Sequence, residues 1–218
     1  MIFALTNSKG GVGKTTLAVH LAAWLREHAA TVALVDADVQ NASSVWVQEA
    51  EPEIGLFRLH TPDDVLEQVP DLAARFTHVV IDGPAGLSEV TRAILLVAGL
   101  ALLPCGPSIL DVRAANEAIR VVRQAQQIRQ GSPQAVLVPN KVQARTRLGH
   151  DLLETVRGLD IRPLRGLHLR QAYAEAASQG TVVWRLGKHA QPASIEVLAL
   201  LSEVYESATK SERSSANQ

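Results

Sequence analysis

The sequence is short of several things, and each shortage removes a class of protein. It has one cysteine, Cys105, in 218 residues. That excludes an internal disulfide and a four-cysteine zinc or iron–sulfur site within one chain. Its seven histidines lack the spacing that would pair two of them on one helix face, which argues against zinc. No apolar run reaches about 18 residues without a breaker, so no membrane-spanning helix is expected. Nothing basic precedes the apolar run Ile2-Phe3-Ala4-Leu5, which reads as a strand and not as a secretory leader. A cytoplasmic protein is expected. Repeats, long linkers and low-complexity blocks are missing too. No nucleophile elbow supports Ser/His/Asp catalysis.

What is present fits one globular domain. Hydrophobic residues make up 47% and charged residues 20%, which excludes wholesale disorder. A chain of this length buries enough surface to need no covalent staple. The net charge of −1 hides an uneven distribution. Residues 1–112 carry −7, residues 113–190 carry +8 and residues 191–218 carry −2. The basic segment is either a polyanion-binding face or a set of solvated helix faces.

Short apolar runs alternate with longer helical patterns. Strands are predicted at Ile2–Thr6, Thr31–Asp36, Leu56–Leu59, His78–Asp82, Leu100–Pro104, Ala135–Pro139 and Asp160–Leu164. Helices are predicted at Lys14–His28, Asn41–Glu49, Asp63–Arg75, Leu87–Ala98, Asp111–Gln130, Gly149–Arg157, Leu169–Ser178 and Ser194–Ser207. Strands spaced by helices imply right-handed crossovers. The fold class is therefore α/β: a single doubly wound, mostly parallel sheet with helices on both faces. Val32-Ala33-Leu34-Val35 and Val79-Val80-Ile81 are apolar throughout, as central strands covered on both sides must be. Thr61-Pro62-Asp63-Asp64 reads as a capped helix start, and Ser108 with Asp111 as another. The domain is expected to span residues 1–207, with a flexible polar tail over 208–218.

Lys9-Gly10-Gly11-Val12-Gly13-Lys14-Thr15-Thr16 follows a strand and opens a helix, the context of a phosphate loop. Glycines let successive N–H groups turn toward phosphate oxygens, and the helix start adds its positive end. Lys14 is placed for the β- and γ-phosphates and the Thr15 hydroxyl for Mg²⁺. Val79–Asp82 is an apolar strand ending in an acid, which delivers a carboxylate to the metal side of such a site. Gly83 and Gly86 after it permit a switch movement. Asp36 and Asp38 follow another strand and, two apart, share a side of extended chain.

The usual glycine at the first position of the loop is Ser8, and a second lysine, Lys9, appears instead. This deviant loop resembles the ParA/MinD group of ATPases. Asp36-Ala37-Asp38-Val39-Gln40 is similar to that family's D-x-D-P-Q segment, with Val39 in place of proline. Asp82-Gly83-Pro84-Ala85-Gly86 is similar to its D-x-P-A-G segment. The resemblance implies that Lys9 reaches the nucleotide of a partner subunit, that Asp38 orients the attacking water and that Asp36 lies near the metal shell. It implies catalytic roles for Lys9, Lys14 and Asp38, metal roles for Thr15, Asp36 and Asp82, and adenine reading by Asn140. ATP/ADP and Mg²⁺ are the implied cofactors.

Within that family the chain resembles the short ParA proteins. A lone cysteine is too few for a nitrogenase-type bridging cluster. The terminal amphipathic segment Ile195–Glu206 is acidic, so no membrane contact is expected. The sequence opens on its first strand, so no N-terminal helix-turn-helix is expected. The resemblance implies an ATP-dependent homodimer that binds double-stranded DNA without sequence preference. A ParB-like adaptor on a centromere or cargo would stimulate its weak hydrolysis, and the protein would be nucleoid-associated. Arg145, Arg147, Arg162, Arg165, Arg170, Arg185 and Lys188 are the expected DNA contacts. The alternative is a metabolic ATP-dependent ligase or synthetase of the same superfamily.

Overall fold

The computed structural model describes residues 1–28, 30–143 and 158–216. Seven strands form one sheet: β1 (Ile2–Asn7), β2 (Val32–Asp36), β3 (Gly55–Arg58), β4 (His78–Ala85), β5 (Leu100–Cys105), β6 (Gln134–Pro139) and β7 (Arg162–Pro163). Their spatial order is β3-β2-β4-β1-β5-β6-β7. Every ladder is parallel, as crossover helices require. Those helices are α1 (Lys14–Glu27), α2 (Ala42–Ala50), α3 (Pro62–Arg75), α4 (Glu89–Val97), α5 (Ile109–Ile128), α6 (Gln171–Ser178) and α7 (Gln191–Ala216). The helix expected over Gly149–Arg157 lies outside the described residues. The last helix starts earlier than its hydrophobic spacing predicts and continues through the polar segment to Ala216.

Alternate side chains of the central strands enter two separate cores. Phe3, Leu5, Leu34 and Val80 join α1, α2 and α7 on one face. Ala4, Val35, Val79 and Ile81 join α3 and α4 on the other, and α5 packs beside them over Ala101 and Leu103. Each fully buried Leu, Ile or Phe among them contributes about 1.5–3 kcal/mol. This double cover explains the unbroken apolar runs of β2 and β4.

Local chemistry fixes the helix starts. Thr61 Oγ1 accepts from Asp64 N at 3.1 Å, with Pro62 in the first turn. Ser108 and Asp111 form a reciprocal capping box at α5. The consequence for function is geometric. The C-terminal ends of β2, β4, β1, β5 and β6 lie side by side at one edge, where ligands bind in open parallel sheets.

Candidate nucleotide site

The loop from β1 to α1 sits at that edge. Gly11 and Gly13 have φ of 72° and 100°, a left-handed conformation that only glycine adopts cheaply. A side chain on Gly13 would also meet Asn140 Nδ2 at 2.2 Å. Lys14, the first residue of α1, is buried, and its Nζ donates to Lys9 O at 3.2 Å. Burial holds its ammonium below the ordinary lysine value, while Asp82 and Asp38 pull the other way.

The carboxylates arrive from neighbouring strands. Asp36 and Asp82 stand opposite each other in the β2–β4 register, and Asp82 stands opposite Leu5 of β1. Thr15 Oγ1 donates to Asp82 Oδ2 at 2.8 Å, so the loop's hydroxyl and the strand's acid meet as the spacing predicts. Burial pushes the Asp82 carboxyl up to about 7; the Thr15 hydrogen bond opposes this and nearby Asp36 adds to it. Asp36 is fully buried and accepts from Ser44 N at 2.8 Å and Asp38 N at 3.2 Å. It thereby ties the start of α2 to the site. Asp38 is less buried and accepts from Gln40 N at 3.0 Å.

Lys9 points away from its own loop. Its Nζ lies 2.6 Å from Asp111 Oδ1 at the start of α5, and its side chain is 41% exposed. Burial raises the Asp111 carboxyl, but hydrogen bonds from Lys9 and Ser108 outweigh it and hold the acid below its ordinary value. Asn7 and Ser8 brace this corner: Asn7 Nδ2 donates to Pro104 O at 2.6 Å and Ser8 Oγ to Ala114 O at 3.1 Å. Sequence reasoning gave Asn7 no role and noted Ser8 only in place of the loop's usual first glycine. A buried asparagine closing a strand just before a glycine loop was the available signal.

Asn140 reaches the loop through its amide. Its Nδ2 donates to Val12 O at 2.7 Å, and its Oδ1 accepts from Lys141 N at 2.8 Å. Lys141, also overlooked, donates from Nζ to Gly11 O at 2.7 Å. A cavity of about 260 Å³ adjoins this corner, lined by Gly13, Thr16, Asn140, Arg170 and Tyr173 among others. It is open to the loop and suits the nucleoside end of a nucleotide.

Among the described residues, several cations of the basic segment are ion-paired. Arg162 and Arg165 share Glu203. Arg170 pairs with Glu196, which His168 also contacts. Arg185 pairs with Glu27 and Glu51. Lys188 is exposed, as are Arg113 and Arg120 on α5, and none of these three makes an ion pair among the described residues. Arg145 and Arg147 lie outside the described residues.

Comparison with known proteins agrees with this geometry. Residues 3–183 match the CobQ/CobB/MinD/ParA nucleotide binding domain. The chain belongs to this family. It is 30% identical over 210 residues to the maintenance of carboxysome distribution protein A of Halothiobacillus neapolitanus, covering 92% of this chain and 94% of that one. Its fold matches that of a Cyanothece McdA–ATP complex with a TM-score of 0.78 at 15% identity, covering 96% of each chain. It also matches Mycobacterium smegmatis cobyrinic acid a,c-diamide synthase with bound ADP and magnesium, at a TM-score of 0.64 and 23% identity, over 86% of this chain and 96% of that one.

The residues present suit the family's magnesium nucleotide. Asp82 Oδ1 and Ser43 Oγ are buried with no hydrogen-bond partner, and both belong to the pocket of polar groups around Asp36 and Thr15. Among the described residues no three His, Cys, Asp or Glu side chains form a metal cage. Mg²⁺ commonly takes one or two protein oxygens and completes its shell with phosphate and water. Thr15 and Asp82 are the groups that would hold it. Among the described residues, no helix is long and apolar enough to cross a membrane.

Proposed function

We propose that this chain is an ATP-driven dimerising ATPase that positions a large cargo over DNA. The observation that carries this reading is the position of Lys9. Its partly exposed ammonium is directed to Asp111, while Lys14, the other lysine of the loop, turns back onto the loop itself. A cation so placed is available to a nucleotide in a second subunit. Val39, Ile109 and Leu110 are 69%, 60% and 59% exposed, and exposed apolar groups beside a site suit a contact seam.

In this reading the N–H groups of the loop and Lys14 bind the triphosphate, and Mg²⁺, when bound, neutralises charge on the β- and γ-phosphates. Asp38 orients the attacking water. Lys9 from the facing subunit stabilises charge developing on the transferred phosphoryl group, so hydrolysis depends on dimerisation. The ATP dimer binds DNA through phosphate contacts, and an adaptor on the cargo stimulates turnover and release. Positioning of a large cargo is favoured by the likeness to the carboxysome distribution protein over nearly the whole chain.

The test is the Asp38→Ala variant in a DNA gel shift with ATP. It should remain on arbitrary duplex as a dimer, whereas the unaltered protein releases as ATP is consumed. Turnover that ignores DNA and rises with a small carboxylate or amine acceptor would overturn the reading in favour of a synthetase.

A further inference from the structure

A phosphate loop works only if its carbonyl oxygens stay turned away from the phosphates. In a trans peptide the C=O and the next N–H point in opposite directions. Whatever holds a loop carbonyl outward therefore holds the following N–H inward. Here two consecutive carbonyls are held by two consecutive residues that follow the end of β6. Lys141 Nζ takes Gly11 O and Asn140 Nδ2 takes Val12 O, each at 2.7 Å.

The holder is itself anchored. Asn140 N donates to Cys105 O at 2.7 Å, fixing it to the end of β5. Val142 N donates to Leu167 O at 2.9 Å and Leu169 N to Val142 O at 3.0 Å, fixing the other side. Lys141 has φ of 56°, an uncommon conformation for a lysine. It is kept there by Asn140 Oδ1, which accepts its backbone N–H at 2.8 Å. Gly13 fits so closely against Asn140 that a Cβ there would clash with its amide nitrogen.

We propose that Asn140 and Lys141 are positioning residues that hold the Gly11 and Val12 carbonyls outward, so that the Val12 and Gly13 N–H groups face the phosphates. This rests on the reading of the loop as a nucleotide site. It gives Asn140 a task other than the base reading implied by family resemblance. A base reader affects one nucleobase; a loop holder affects every phosphate ligand alike.

The experiment titrates inorganic tripolyphosphate, ATP and GTP, each with Mg²⁺, into the unaltered protein, Asn140→Asp and Lys141→Met. Spectra of the ligand-free proteins record the Val12 and Gly13 amides. Both variants should lose about tenfold in affinity for all three ligands, the scale of one hydrogen bond. The two amide resonances should move before any ligand is added, and Lys141→Arg should restore both. Lys141 is exposed, so its variant decides the matter should Asn140→Asp not fold. Unchanged tripolyphosphate affinity with an altered preference between ATP and GTP would overturn the proposal and make Asn140 a base reader. Failure of the unaltered protein to bind any of the three would instead overturn the nucleotide reading, and the proposal with it.

Discussion

Lys9 Nζ and Asp111 Oδ1 lie 2.6 Å apart across 102 residues of sequence. The pair joins the phosphate loop to the first turn of α5. If Lys9 engages a partner's nucleotide, the pair must open, and Asp111 competes with dimer formation. With Lys9 41% exposed, the pair contributes at most about 1 kcal/mol per subunit. Asp111→Asn keeps an acceptor for the capping box but removes the charge. Two pairs open per dimer, so it should tighten the nucleotide-dependent dimer by up to about thirtyfold, measured by sedimentation with a non-hydrolysable analogue. A weaker dimer would show that Asp111 supports the closed state.

Asp82 illustrates a site held at a cost to stability. Its Oδ1 is buried without a partner, and burial disfavours its charged form. Asp82→Asn should raise the stability of the nucleotide-free protein at pH 8 by about 1–2 kcal/mol, a few degrees in melting temperature. Turnover should be lost. A lower melting temperature would contradict this.

His20 sets an acid limit on the fold. It is fully buried in a box of Trp46, Tyr173 and Trp184. Its Nδ1 meets Thr16 O at 2.7 Å, and Nε2 accepts from Val183 N at 3.3 Å. Burial lowers its pKa to about 4, against the hydrogen bond that Nδ1–H donates to Thr16 O. The unfolded chain then binds a proton between about pH 6.5 and 4 that the fold refuses. Its contribution is fully present above pH 6.5 and is lost as pH falls toward 4, on the order of 3 kcal/mol in all. Denaturation in urea across this window should show the decline, and His20→Gln should make it shallower, leaving the part due to His78, whose pKa burial also lowers to about 4.

Features set by neighbours in sequence were legible before the structure. The loop from Lys9 to Thr16, the acid closing β4 and the unbroken apolar runs of β2 each depend on a few adjacent residues. Long-range pairing was not legible. The +8 of residues 113–190 left a polyanion-binding face and solvated helix faces both open, because the glutamates that pair with Arg165, Arg170 and Arg185 lie elsewhere: Glu196 and Glu203 on α7, Glu27 on α1 and Glu51 after α2. Likewise nothing near Asn140 reveals that its amide meets Val12, 128 residues away. The edge strand β7 falls within the segment Asp160–Leu164 expected to be a strand but has only two residues, too few for a period to fix its ends. The polar end of α7 has no apolar stripe to mark its length.

That pairing makes a distinct prediction for DNA. Arg170 and Arg185 are held by glutamates, whereas Lys188 has no ion pair among the described residues. Lys188→Ala should lower the salt slope of DNA binding by about one. Arg170→Ala should leave the slope unchanged and lower stability, because Glu196 loses its main partner. Equal slope changes in both would show that the Arg170 pair opens on DNA.

The most direct measurement is the molar mass in solution by light scattering, with Mg²⁺ and a non-hydrolysable ATP analogue. The unaltered chain should shift from monomer to dimer, and Lys9→Ala should bind the analogue yet stay monomeric with its turnover lost. An unaltered chain that stays monomeric, or a Lys9→Ala protein that hydrolyses ATP at the unaltered rate, would contradict the role given to Lys9.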